Sequence, residues 1–134
     1  MGAGTTEITQ ANFEQFVTTP GILFIDWWAT WCGPCRAFAP VYEGAAAKHE
    51  GIVWGKVDTD AQQELAGAFG IQSIPTLSIF RDGVLVFSRP GMVPAAALDE
   101  LVAGVKGLDM DEVRKSIAEE EKKQAEAGGE PPEA

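Results

Sequence analysis

The chain alternates between short apolar runs and amphipathic stretches, and the order of the two decides its fold class. Thr5 to Thr9 can form a first strand. In Asn12 to Thr18, Phe13, Phe16 and Val17 fall on one side of a helix, which Pro20-Gly21 ends. Ile22 to Trp28 is almost continuously apolar, as a strand covered on both faces must be; its one charge, Asp26, is out of place. After Trp31-Cys32-Gly33-Pro34-Cys35 a helix is expected to about Glu50, closed by Gly51. Pro40 lies inside it, removes a backbone donor, and should bend it.

Ile52 to Asp58 reads as another buried strand. Ala61 to Phe69 is a helix with Leu65, Ala66 and Phe69 inward, closed by Gly70. Thr76 to Phe80 is a strand, Arg81-Asp82-Gly83 a hairpin turn, and Val84 to Ser88 the returning strand. Pro94 starts a helix over Ala95 to Val105, with Leu98, Leu101, Val102 and Val105 on one face. Early alternation of strand and helix implies parallel crossovers, and the late hairpin adds an antiparallel pair. The expected fold is therefore α/β, a mixed sheet with helices on both faces.

Residues 1–107 complete this pattern as one domain. Residues 108–127 predict a charged extension helix. Asp109 with Glu112 makes a capping box, and Met110, Val113 and Ile117 give a short apolar stripe. Residues 128–134, with Gly128-Gly129-Glu130-Pro131-Pro132, cannot continue a helix and are expected to be disordered. The extension is either a solvated helix or one that docks a partner or a second copy. A monomer is expected.

Charge narrows the partners. The formal net charge is −10, and residues 108–134 hold nine acids against four bases, half of that total. An acidic chain repels phosphate backbones, so no nucleic-acid partner is expected. No apolar run approaches the roughly 18 residues of a membrane span, and the N-terminus lacks the pattern of a signal peptide. Met1 to Thr6 matches the loose myristoylation pattern, but nothing else points to a membrane. A reducing, cytoplasmic setting is expected.

The chemistry centres on two cysteines, Cys32 and Cys35, at the start of a helix directly after a buried strand. Orphan backbone donors and the positive end of the helix dipole favour a thiolate at Cys32. Cys35 is one turn deeper on the same face and can reach back to it. Thiol–disulfide exchange follows: Cys32 attacks, and Cys35 resolves the mixed disulfide. Gly33 lets another chain approach closely, and Pro34 suits the first helical turn. Two bland readings stand beside this one. A zinc site needs about four ligands, and the only further soft candidate is His49, expected instead to meet the helix dipole. A static structural bridge over so short a loop would constrain little of the unfolded chain. No metal is expected.

Trp31-Cys32-Gly33-Pro34-Cys35 is similar to the active-site sequence of the thioredoxin family. Phe24-Ile25-Asp26-Trp27-Trp28-Ala29, Lys56-Val57-Asp58, Gly70-Ile71-Gln72-Ser73-Ile74-Pro75-Thr76 and Gly91 resemble further family segments in the right order, over about residues 5 to 107. The resemblance implies a three-layer α/β/α fold: a mixed five-stranded sheet, four flanking helices, and here an extra C-terminal helix. It implies a protein disulfide reductase without a bound cofactor, acting on oxidised client proteins and restored by a flavin-dependent thioredoxin reductase. It implies roles as well. Cys32 would attack and Cys35 resolve; Asp26 would be a buried carboxylate that moves a proton, with Lys56 near it. Pro75 would be cis. Ile74 would offer backbone groups to a client strand, and Trp31, Pro34, Ile74 and Gly91 would form the apolar docking surface beside Gly33. Trp27 in place of the usual Phe, Phe38, the small stretch Gly44-Ala45-Ala46-Ala47, and Arg89-Pro90 depart from the family pattern. Two rival readings are a dedicated reductant docked through the extension and a non-catalytic chaperone or scaffold.

Overall fold

A computed structural model describes residues 4–127. The start of the myristoylation-like stretch, residues 1–3, and the expected disordered end, residues 128–134, lie outside the described residues. Five strands, β1 (Thr5–Glu7), β2 (Ile22–Trp28), β3 (Val53–Asp58), β4 (Thr76–Arg81) and β5 (Val84–Pro90), form one sheet in the order β1-β3-β2-β4-β5. β3 runs parallel to β1 and β2, while β4 is antiparallel to β2 and β5. The helices are α1 (Phe13–Thr18), α2 (Gly33–Lys48), α3 (Gln63–Ala68), α4 (Ala95–Lys106) and α5 (Met110–Ala127).

The alternation of β2 explains the two cores. Phe24 packs with Phe38 and Tyr42 of α2 and with Leu98 and Val102 of α4. Ile25 and Trp27 point the other way, into a cluster with Ile8, Leu65, Ala66 and Phe80. A strand feeding both faces has to be apolar at nearly every position. Each large side chain so buried contributes about 1.5–3 kcal/mol. This is the three-layer arrangement expected from the sequence.

Element ends differ where side chains capture backbone groups. β1 stops at Glu7, because Thr9 N–H turns to Asn12 Oδ1 at 2.7 Å. α3 starts at Gln63, because Asp58 Oδ1 accepts from Asp60 N–H at 2.9 Å and Ala61 N–H at 3.2 Å, holding that stretch as a turn. α2 runs through Pro40 as one 16-residue helix. The hairpin turn has Asp82 at φ 52° and Gly83 at φ 83°, the left-handed pair that joins strands tightly. Asp82 also exchanges two bonds with Gly21, its N–H donating to the Gly21 carbonyl and its Oδ1 accepting from Gly21 N–H, both at 2.8 Å.

α5 is attached at its first turn. Asp109 Oδ1 accepts from Asp111 N–H at 3.0 Å and Glu112 N–H at 3.2 Å, which is the Asp109 half of the expected box. Met110 is buried. Arg81, at the end of β4, donates through Nη1 to the carbonyls of Val105, Lys106 and Leu108 at 2.7, 3.2 and 2.7 Å. Val105 and Lys106 are the last two residues of α4, whose carbonyls have no partner inside the helix, and Leu108 lies in the link to α5.

Candidate active site

β2 ends at Trp28, and the chain turns straight into α2 with Cys32 as its N-cap. Cys32 is extended there, and its Sγ accepts from the Cys35 N–H at 3.2 Å. A sulfur in this place takes up one of the orphan donors of the first turn. Cys32 and Cys35 are joined by a disulfide, their Cα atoms 5.2 Å apart. Both are nearly buried, while Trp31, Gly33 and Pro34 around them are exposed. Arg36 Nη1 donates to the Thr30 carbonyl at 2.8 Å, which braces the turn from outside.

Two further loops reach the pair. The Ile74-Pro75 bond is cis, and the Ile74 carbonyl oxygen lies 3.7 Å from Cys32 Sγ. Gly91 N–H donates to the Pro75 carbonyl at 2.8 Å. Gly91 has φ 101° with open space where a side chain would stand, so its conformation rather than crowding calls for glycine. The tertiary structure thus brings Gly33, Pro34, Ile74, Pro75 and Gly91 to the same rim as the cysteines.

Asp26 sits one layer below. It alternates with Ile25 and Trp27, so it faces the α2 side of the sheet. It is fully buried, and neither carboxylate oxygen has a hydrogen-bond partner among the described residues. Burial raises its pKa from 3.8 to about 7, against the attraction of Lys56, which lowers it. Lys56 pairs with Asp26 in the β2–β3 register and is itself buried. Its ammonium stands 5.1 Å from the centroid of the Trp28 ring. Trp28 packs against Ala29 and the two cysteines, and its buried indole N–H has no partner among the described residues. Tyr42 is also in this layer: its hydroxyl donates to the Gly55 carbonyl at 2.7 Å, and burial with the Asp26 charge raises its pKa well above 10.0.

His49 is elsewhere. It caps the far end of α2, and its Nε2 lies 2.7 Å from Asp99 Oδ1 on α4, so a carboxylate rather than the helix end alone holds it. Among the described residues no three His, Cys, Asp or Glu side chains are grouped to hold a metal ion. Sequence reasoning missed Asp60, whose Oδ2 accepts from the Trp31 indole N–H at 2.8 Å. The Asp58-Thr59-Asp60 turn after β3 was its only local signal.

A redox-active cysteine pair at a helix start, beneath a cis-proline loop on this sheet, defines a thiol–disulfide oxidoreductase. The thioredoxin family model matches residues 4–104. The chain belongs to the thioredoxin family. It is 56% identical over 124 residues to "Putative thioredoxin 2" of Streptomyces coelicolor, covering 92% of this chain and 90% of that one. That length reaches beyond the domain into α5. It is 43% identical over 98 residues to the thioredoxin of Bacillus subtilis, covering 71% of this chain and 94% of that one. Among solved structures, a single-site mutant of a thioredoxin from Halobacterium salinarum NRC-1 superposes with a TM-score of 0.72 at 29% identity, over 81% of this chain and 97% of that one. No described helix is long and apolar enough to cross a membrane.

Proposed function

We propose that this chain is a general protein disulfide reductase of the cytoplasm, working with no bound cofactor. The observation that carries it is the Cys32 sulfur on the α2 N-terminus, accepting the Cys35 N–H, with Cys35 buried directly behind. In the reduced protein the Cys32 thiolate attacks one sulfur of a client disulfide. The client S–S bond breaks, and its other sulfur leaves as a thiolate that takes a proton. Cys35 then loses its proton and attacks Cys32, which releases the second client thiol and closes the Cys32–Cys35 bond. Two electrons pass to the client and two thiols of this chain become one disulfide.

Each further residue has a part in that sequence. Asp26, with a pKa of about 7, can accept the Cys35 proton near neutrality. Lys56 tunes that carboxyl by its charge. Ile74 presents its backbone to an extended client segment, Pro75 and Gly91 hold that backbone in place, and Trp31, Gly33 and Pro34 supply the exposed contact. A flavin-dependent thioredoxin reductase drawing on NADPH returns the disulfide to the dithiol. Insulin reduction tests this. The wild type should accelerate it with dithiothreitol or a reductase as donor, and a wild type no faster than Cys32→Ser would sink the proposal.

A further inference from the structure

Among the described residues β5 is the last strand of the sheet, so one of its edges has no neighbouring strand there. An apolar trough runs beside that edge. Its first part, about 420 Å³, lies between β5 and α5 and is lined by Leu85, Val86, Val113 and Ile117. Its second part, about 250 Å³, shares Val86 and Leu108 with the first and continues to Phe87 on β5 and Leu101 on α4. Leu85 is 43% exposed and Ile117 39%. Single exposed apolar residues are ordinary, but a continuous row across three elements marks a contact surface.

Charge decides what fits. Among the described residues, every ionisable side chain lining the two parts is an acid: Asp109 and Glu112 in the first, Glu100 in the second. A second copy would set these acids against their own kind on a chain of net charge −10. Residues 128–134 carry Glu130 and Glu133 and no base, so the chain's own end has the same mismatch. Anionic lipid is repelled for the same reason. A segment with an apolar side flanked by lysine or arginine satisfies both the row and its rim.

We infer that the trough between β5, α4 and α5 docks a basic amphipathic helix of a partner protein. The site is separate from the redox pair. Pro90, at the other end of β5, pairs with Thr76 beside the cis-proline, and Leu85 lies five residues back, roughly 17 Å at the usual strand rise. A partner held in the trough can therefore present its own disulfide to Cys32 at the same time. Two weak contacts joined in this way act as one strong one.

The test uses the full-length oxidised protein, titrated by calorimetry and by amide NMR with an idealised Leu/Lys helical peptide of about five turns. A Leu/Glu peptide of the same pattern is the control. The Leu/Lys peptide should bind at least about tenfold more tightly than the control and shift the amides of Val86, Leu108 and Val113. Ile117→Asn, at an exposed position, and Glu112→Lys should each weaken binding about tenfold while leaving insulin reduction within about twofold. The inference is overturned if the Leu/Lys peptide does not bind, if both peptides bind equally, or if neither substitution matters. Dimerisation of the wild type abolished by Ile117→Asn would make a second copy the occupant. Binding seen only after deletion of residues 128–134 would assign the trough to the chain's own end. Either result also overturns it, and none of these outcomes touches the reductase reading, which insulin reduction reports separately.

Discussion

The indole N–H of Trp31 donates to Asp60 Oδ2 at 2.8 Å, which ties the exposed ring next to Cys32 to the turn after β3. Trp31 is 67% exposed, so little else holds it. Asp60→Ala should free the ring and raise KM for a protein disulfide about two- to tenfold with kcat nearly unchanged, the range of one ordinary hydrogen bond of about 0.5–1.5 kcal/mol, since exposure to water screens the charge. Steady-state insulin reduction measures the split. Asp60→Asn, which keeps an acceptor, should recover most of the loss. A fall in kcat alone would contradict this account.

The buried carboxyl of Asp26 makes stability depend on pH. Its pKa is about 7 in the folded protein against an ordinary 3.8, so between those values the folded state holds a proton that the unfolded chain has released. The group has no effect below the lower value. Its effect becomes more destabilising as pH rises through the window, and it is constant above. Asp26→Ala removes the titration. The stability of the variant relative to the parent should therefore grow by about 4 kcal/mol between pH 3.5 and pH 8. Urea unfolding of both oxidised proteins across that range checks it; a constant difference would mean that the carboxyl is not desolvated.

Cys35 is 3% exposed and Cys32 4%, but only Cys32 stands at the helix end beside the Ile74 carbonyl. Cys35→Ser should leave the attack intact and remove the resolving step. A mixed disulfide between Cys32 and the client should then accumulate and be visible by mass spectrometry without reductant. Cys32→Ser should trap nothing. Equal trapping by both variants would reverse or merge the two roles.

Arg81 holds three carbonyls at the α4–α5 junction through one nitrogen. Arg81→Ala leaves those carbonyls without their charged donor and should cost about 1.5–3 kcal/mol. Thermal unfolding measures the loss. Amide exchange should rise in residues 108–113, and insulin reduction by the surviving folded protein should not change. Arg81→Lys should recover only part, because a single ammonium cannot hold the carbonyls and also keep the Asp82 contact that Arg81 makes through Nε at 3.8 Å.

Much of this was legible along the chain. A strand buried on both faces has to be apolar throughout, so Ile22 to Trp28 announced itself, and the isolation of Asp26 within it marked an acid without water. The Asp82-Gly83 turn and the Asp109 cap are encoded in single residues whose backbone preferences are local. The cysteine pair was legible because its chemistry depends on an adjacent helix start, which the next few residues specify.

Contacts between distant residues carry no such periodic signal, and these only the tertiary structure decided. Trp31 and Asp60 are 29 positions apart, and Arg81 and Leu108 are 27 apart. Nothing near either partner names the other. The placement of β3 between β1 and β2 and the open trough beside β5 arise in the same way, whereas the approach of Ile74 to Cys32 was expected from the family resemblance alone and not from any local pattern. Local sequence sets which backbone shapes each segment prefers, whereas which faces meet is settled by packing the whole chain to bury its apolar area.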